Sequence, residues 1–381
     1  MKIAVASLGD PYSVKTWSGT PAHIIHALEK RGHSISAITL ITPAEPWYYN
    51  WLRRFYHRFQ GKWFMSAVEK TTLQAIARQF DAEVARIKPD VVLCIHADFL
   101  AYTTFQQPAI SIHDTTFASL VGYYRDFSNL AGRSIRAGND MYQKALNRAT
   151  AAVFSAGWAS ESALKDYNVE ASKIHTIPLG ANLKEAPVAH AVHAWIGSRA
   201  QSATCKLLFL GVAWERKGGP DALRFVVHLN KLGVKAQLLI VGCTPNIAAE
   251  FEPYVKQIGF LRKNIPEQAE RLRQLLATSS ALMLPSVAEC YGCVFCEANA
   301  YGLPSLGRHT GGITEIIKEG VNGLMLGESE SPEAFAERWA KIWNNRETYV
   351  ELSKSSLNEF ETRLNYDAFS AKLEDVIKLV M

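Results

Sequence analysis

The chain has 381 residues, enough for two globular domains at roughly 100–200 residues each. Hydrophobic residues make up 48% and charged residues 20%, which excludes intrinsic disorder and fibrous repeats, and no apolar run approaches the roughly 18 residues that cross a bilayer. The formal charge of +5 is lopsided: residues 1–180 hold 19 Lys and Arg against 14 Asp and Glu, and residues 181–381 hold 22 against 22, so the excess lies in the first half and suggests an anionic partner there.

The chain opens with a buried strand from Ile3 to Leu8, a loop rich in Gly, Pro and Ser, a helix from about Pro21 to Arg31 ended by Gly32, and a second strand from Ile35 to Ile41. Strand, helix, strand in that order is a parallel βαβ unit. Residues 89–95, 108–112 and 151–155 continue the apolar strand pattern, and a less regular stretch from about Leu183 to Thr204 follows. A second series then runs through 206–211, 237–242 and 281–285, with helical segments between. The fold class is therefore α/β, with two Rossmann-like parallel-sheet domains whose strand ends enclose a cleft. The start of the chain is too short in apolar residues for a signal peptide, and six cysteines are too few to staple 381 residues, so a reducing, cytoplasmic setting is expected.

The stretch from Pro285 to Gly323 carries the most chemistry. It reads Pro285-Ser286-Val287-Ala288-Glu289-Cys290-Tyr291-Gly292, a helix bearing Cys293 and Glu297, then Gly302-Leu303-Pro304 and Gly311-Gly312-Ile313-Thr314-Glu315. Glu289 in the loop and Glu297 in the helix beyond it can both face the strand ends. Ionised carboxylates suit sugar hydroxyls, because they make charge-assisted hydrogen bonds and accept two at once. The free N–H groups at the helix start and the glycines at 311 and 312 let backbone approach a phosphate. Two isolated glutamates would ordinarily be a surface pair. The Cys290, Cys293, Cys296 run lacks the fourth ligand of an iron–sulfur or zinc pattern, and the first loop lacks Gly-x-Gly-x-x-Gly, which argues against a dehydrogenase.

This segment resembles the C-terminal half of the retaining, nucleotide-sugar-dependent glycosyltransferases of the GT-B fold, group 1 or family 4. Two glutamates with seven residues between, Gly-Leu-Pro and Gly-Gly-Ile-x-Glu are all present. The resemblance extends over nearly the whole chain. Trp17-Ser18-Gly19-Thr20-Pro21 sits where the family has its glycine-rich loop under the donor diphosphate, His113-Asp114 where a histidine is offered to the donor sugar, and Trp214-Glu215-Arg216-Lys217-Gly218-Gly219 at the basic diphosphate clamp.

The resemblance implies that Glu297 holds the ribose, Glu289 the sugar hydroxyls, and Lys217 and Arg216 the diphosphate, with Gly19, Thr20, Tyr291, Gly292, Cys293, Gly311 and Gly312 lining the donor and His113, Lys217 and Glu289 acting in catalysis. One departure is Val212, where the family usually carries Arg; Arg216 is its expected replacement. A structural histidine and a solvated helix start are the plain alternatives for His113 and for Arg216 with Lys217. No divalent metal or other cofactor is expected, since the nucleoside-diphosphate sugar is the substrate. The implied layout is an acceptor domain at 1–188, a donor domain at 189–362, and a helix at 363–381 returning to the first domain. The implied activity is retaining hexosyl transfer to a glycan, lipid-linked or small-molecule acceptor, as in polysaccharide or glycolipid biosynthesis. The alternatives are an epimerase of the same fold and a silent nucleotide-sugar-binding or membrane-docking module.

Residues 47–64 stand apart, with nine aromatic side chains and four cations among eighteen residues. As a helix, Trp47, Trp51, Leu52, Phe55 and Phe59 share one broad face, while Asn50, Arg53, Arg54 and His57 lie opposite. Three readings compete: an ordinary helix burying its rings against the sheet, an acceptor-binding wall, or peripheral attachment to the inner face of an anionic membrane through Trp47, Trp51, Arg53, Arg54, Arg58, Lys62 and Trp63. No nucleic-acid-binding motif accompanies the basic residues.

Overall fold

The computed structural model describes residues 1–381, the side chain of Ala97 apart. The chain divides into two compact units, one made of Met1–Pro178 with Tyr366–Met381 and the other of Leu179–Asn365. The first unit contains a six-stranded parallel sheet of β1 (Lys2–Leu8), β2 (Ser34–Leu40), β3 (Val91–Ile95), β4 (Ala109–His113), β5 (Ala151–Phe154) and β6 (Ile174–Thr176), in the order β2-β1-β3-β4-β5-β6. The second holds β7 (Cys205–Leu210), β8 (Ala236–Val241), β9 (Val255–Gly259), β10 (Ala281–Met283), β11 (Ser305–Arg308) and β12 (Gly323–Leu326), also parallel, in the order β12-β11-β10-β7-β8-β9. The second order is that of a doubly wound dinucleotide-type sheet, and the first is its flavodoxin-like counterpart.

The central strands form because their residues are apolar on both faces. All of Val91–Ile95 and Ala109–His113 are buried, as expected of parallel strands covered by helices on either side. The helix Lys70–Ile87 turns Leu73, Ile76, Ala77, Phe80, Val84 and Ile87 inward at three- and four-residue spacing and supplies the largest share of one layer of the first core. In the second unit the helix Gly219–Lys231 buries Ala222, Phe225, Val226 and Leu229, and Phe225 meets Phe335 edge to face at 5.3 Å.

The helix Tyr366–Val380 packs on the helix Thr20–Lys30 of the first unit. His23 stacks on Tyr366 at 5.2 Å, Lys30 pairs with Asp367 at 2.8 Å, and Glu374 receives Arg31 and His33. The Arg31 guanidinium, helped by His33, pulls the Glu374 carboxyl down to about 2.

In each sheet the strand order reverses at one place, between β1 and β3 in the first and between β7 and β10 in the second. Loops leaving the carboxyl ends of those strands flank a crevice, and ligands of open α/β sheets bind there. Which side chains occupy these two places therefore decides what each unit can hold.

Candidate functional site

In the second unit the relevant loops are 211–218 after β7 and 284–292 after β10. Two hydrogen bonds knit them: Val287 N–H donates to the Arg216 carbonyl at 2.9 Å, and the Arg216 guanidinium donates to the Ala288 carbonyl at 2.9 Å. The Lys217 ammonium donates to a Glu289 carboxylate oxygen, with Arg216 3.6 Å from the same oxygen. Glu289 and Lys217 are both largely shielded from solvent, so each charge depends on the other.

Glycines make this closeness geometrically allowed. Gly218 has φ +74° and lies so near Pro285 that a Cβ would run into its carbonyl oxygen. Gly312 meets the backbone of Cys290 and Tyr291 in the same way, and its N–H donates to the Glu289 carbonyl at 3.1 Å. The glycine pair at 311 and 312 thus presses a second loop onto the Glu289 segment. Gly292, at φ +98°, ends that segment and is the N-cap of the helix Cys293–Ala300, whose start the sequence reading had placed near this glycine. Tyr291 is buried, its hydroxyl donating to the Leu179 carbonyl at 2.7 Å.

Glu297 lies in that helix, with only 5% of its surface exposed. Its two carboxylate oxygens accept from the Lys263 ammonium at 2.8 and 3.0 Å. Lys263 escaped the sequence reading, which missed β9 as well; a lysine four residues past a strand glycine was the available signal. Beside it, Cys296 is fully buried and burial pushes its thiol up to about 12, while Cys293 is part-exposed at the helix start. Among the described residues no three His, Cys, Asp or Glu side chains are grouped as ligands for an ion. Val212, after the β7 glycine, is exposed.

The corresponding place in the first unit is built from rings. Trp17 and Ser18 take left-handed backbone angles, Gly19 follows at φ +83° as N-cap of the first helix, and Thr20 is buried. Trp17 lies 4.7 Å from the His96 ring and donates from Nε1 to Asp114 at 3.1 Å, tying the β1, β3 and β4 loops together. His113 ends β4, 1% exposed, stacked on Phe154 at 4.7 Å. The Tyr142 hydroxyl donates to the Thr115 carbonyl at 2.8 Å, so at 2.9 Å from His113 it accepts from Nδ1–H. That tautomer leaves the Nε2 lone pair outward in the ring, buried and without a partner among the described residues. Burial, and then the neighbouring His96, lowers the His113 pKa to about 3, so the ring is neutral at physiological pH.

The aromatic segment forms a helix, Tyr48–Gln60, but not with its ring-rich face inward. Tyr49 is the fully buried residue, its hydroxyl 3.3 Å from Thr72, and Tyr49 and Tyr56 both contact Phe64. Trp47, Trp51 and Phe59 are exposed, which overturns the ordinary packed-helix reading. Arg53 turns back to Glu45 at 2.5 Å and to Ser66 at 2.8 Å, so it braces the helix and leaves the set of free surface cations. Arg54 falls beside Trp47 and Trp51 and not opposite them, as an advance of about 100° per residue requires.

Residues 204–345 match the family model for group 1 glycosyl transferases. The chain is 30% identical over 207 residues to a putative glycosyltransferase, EpsF, of Bacillus subtilis, which covers 53% of this chain and 52% of that one. It spans about half the length of the curated relatives it matches. Sucrose-phosphate synthase from Thermosynechococcus elongatus has the same fold, with a TM-score of 0.71 at 17% identity over 100% of this chain and 98% of that one. The Anabaena protein HepE, solved with UDP-glucose, superposes with a TM-score of 0.64 at 13% identity over the whole of both chains.

Proposed function

From the match of residues 204–345 to the group 1 glycosyl transferase model, we propose that the chain is a member of that family and transfers a sugar from a nucleoside-diphosphate sugar to a hydroxyl-bearing acceptor with retention at the anomeric carbon. The observation that carries this reading is the charge arrangement at the β7/β10 switch point, where Lys217 and Arg216 converge on Glu289, and Glu297 lies one helix further on. The UDP-glucose bound by the structurally similar HepE fits the same donor class.

In this reading Lys217 and Arg216 hold the diphosphate and Glu297 the ribose hydroxyls, with Lys263 giving way to them. Glu289 accepts from the sugar hydroxyls while remaining the counter-ion of Lys217. Breaking the bond between the anomeric carbon and the diphosphate oxygen puts negative charge on the diphosphate and positive charge on the ring. Fixed cations at the first and fixed acceptors at the second lower the barrier without reorganising. The acceptor oxygen bonds the anomeric carbon from the face the diphosphate leaves, and its proton passes to the departing diphosphate. His113, neutral and with Nε2 unpaired, is suited to accept from a hydroxyl and not to carry a proton. No divalent metal is needed where two side-chain cations neutralise the diphosphate.

A thermal-shift panel of nucleotide sugars tests the donor, since a bound donor raises stability by mass action. One nucleoside diphosphate and its sugar should stabilise the protein, and Glu297→Ala should weaken that binding about tenfold or more, as the loss of a charged hydrogen-bond acceptor implies. No stabilisation by any donor would sink the assignment. Transfer, as opposed to epimerisation, is read from the products formed with and without acceptor.

A further inference from the structure

The helix Tyr48–Gln60 exposes large rings that the fold has had every opportunity to bury. Trp47 is 82% exposed, Trp51 58%, Phe59 74%, and the following Trp63 57%. Their contacts are mostly with one another: Trp51 stacks on Phe55 at 5.4 Å, Phe55 meets Phe59 at 5.3 Å, and Trp63 meets His57 at 5.5 Å. The helix is nevertheless firmly seated by its other side, through Tyr49 and Tyr56 against Phe64 and through Arg53 to Glu45 and Ser66. Trp63 is itself fixed by backbone bonds to Asn129 and Ala131. A contiguous exposed patch of this kind marks an interaction surface.

Charge decides what covers it. Residues 46–68 contain no Asp or Glu, and once Arg53 is paired inward, Arg54, Arg58 and Lys62 remain. Advancing about 100° per residue from Trp47 puts Arg54 and Arg58 on either side of Trp47 and next to Trp51, so the cations alternate with the rings and do not form a separate polar face. Two copies of such a face would bring like charges together without a carboxylate between them. A neutral sugar acceptor would use the rings and leave three cations unmatched. An anionic lipid surface matches both: rings sit at the boundary between headgroups and acyl chains, and cations sit at the phosphates.

We propose that the helix Tyr48–Gln60 with Trp63 is a docking element that lies in the plane of an anionic bilayer, burying Trp47, Trp51, Phe55 and Phe59 and placing Arg54, Arg58 and Lys62 at lipid phosphates. No helix among the described residues is long and apolar enough to cross a membrane, and this element attaches without spanning. The proposal does not depend on the transfer reading.

Co-sedimentation of the full chain with vesicles of phosphatidylcholine alone, and of phosphatidylcholine mixed with phosphatidylglycerol, tests it. Binding should require phosphatidylglycerol and weaken with salt. At roughly 1 kcal/mol per cation near the surface, the double variant R54Q/R58Q should bind about thirtyfold more weakly. The variant W51S/F59S should lose at least about tenfold through its apolar area. Both variants alter solvent-exposed side chains and should keep the wild-type far-UV spectrum and the wild-type stabilisation by the nucleotide donor. Equal binding to both vesicles, or unchanged binding by both variants, overturns the proposal. So does a concentration-dependent dimer that W51S/F59S dissolves, which would make the face a contact between copies. Binding of soluble heparin that survives W51S/F59S and abolishes vesicle binding would equally overturn it.

Discussion

At the switch point of the first sheet the loops meet through rings: Trp17 against His96, Trp17 to Asp114, His113 between Tyr142 and Phe154. At that of the second they meet through ions: Lys217 and Arg216 on Glu289, and Lys263 on Glu297. The backbone plan is nearly the same, a parallel sheet with loops at carboxyl strand ends. The difference shows that the fold sets where a ligand can sit, while the side chains in two or three loops set its charge. A place lined mainly by rings takes hydroxyls and apolar surface, and a place with paired fixed ions takes a phosphate and its sugar.

The sharpest way to break this contrast is to remove the central ion. Lys217→Met should lower transfer or donor hydrolysis by about 10²–10³-fold, the usual cost of losing one preorganised charge partner of the transition state, measured as turnover at saturating donor. A loss below tenfold would assign Lys217 a structural role alone. Next comes the backbone closeness that brings the ions together. Gly312→Ala places a Cβ against the Cys290 carbonyl, and about 3 kcal/mol should be lost in urea unfolding, with donor stabilisation lost alongside.

The ring-lined place predicts a pH effect of its own. His113 has a folded pKa of about 3 against 6.5 in its ordinary state, so the unfolded chain binds its proton first as pH falls. Its contribution is fully present above about pH 6.5 and declines by up to about 1.4 kcal/mol per pH unit from there towards pH 3. Between pH 7 and 5 the wild type should lose on the order of 2 kcal/mol more than His113→Gln, which has no such proton to bind. Parallel pH profiles of the two proteins would remove the burial argument. The smallest effect belongs to Lys263, which is half exposed. Lys263→Ala should shift nucleotide affinity by less than about fivefold, since the ammonium is half exposed and water can take its place beside Glu297.

The strands that could be read from the sequence were those with an unbroken apolar run, β1, β3, β4, β7, β8 and β10 among them. The edge strand Val255-Lys256-Gln257-Ile258-Gly259 is half solvated and carries no such run, and β6 (Ile174-His175-Thr176) and β11 (Ser305-Leu306-Gly307-Arg308) are short and broken by polar residues or glycine. Glu289, Glu297, Arg216 and Lys217 were legible because their chemistry is local to two loops. Lys263 was not, since its partner is 34 residues away and only the fold brings them together. The helix Tyr48–Gln60 shows a different limit. Periodicity located the ring-rich face but could not say whether it points in or out, because contacts made by the other side, Tyr49 and Tyr56 on Phe64 and Arg53 to Glu45 and Ser66, set the seating.

The first unit closes only when the helix Tyr366–Val380 reaches the helix Thr20–Lys30, through the pairs Lys30 with Asp367 and Arg31 and His33 with Glu374. These partners are separated by 337 to 343 positions, with the whole of Leu179–Asn365 between them. On a ribosome the second unit is therefore complete before the first can be, although it is made later. The first unit must wait for that helix, and until it docks its own inward side chains Phe369, Leu373, Val376 and Ile377 stay open to chaperones or to misassembly.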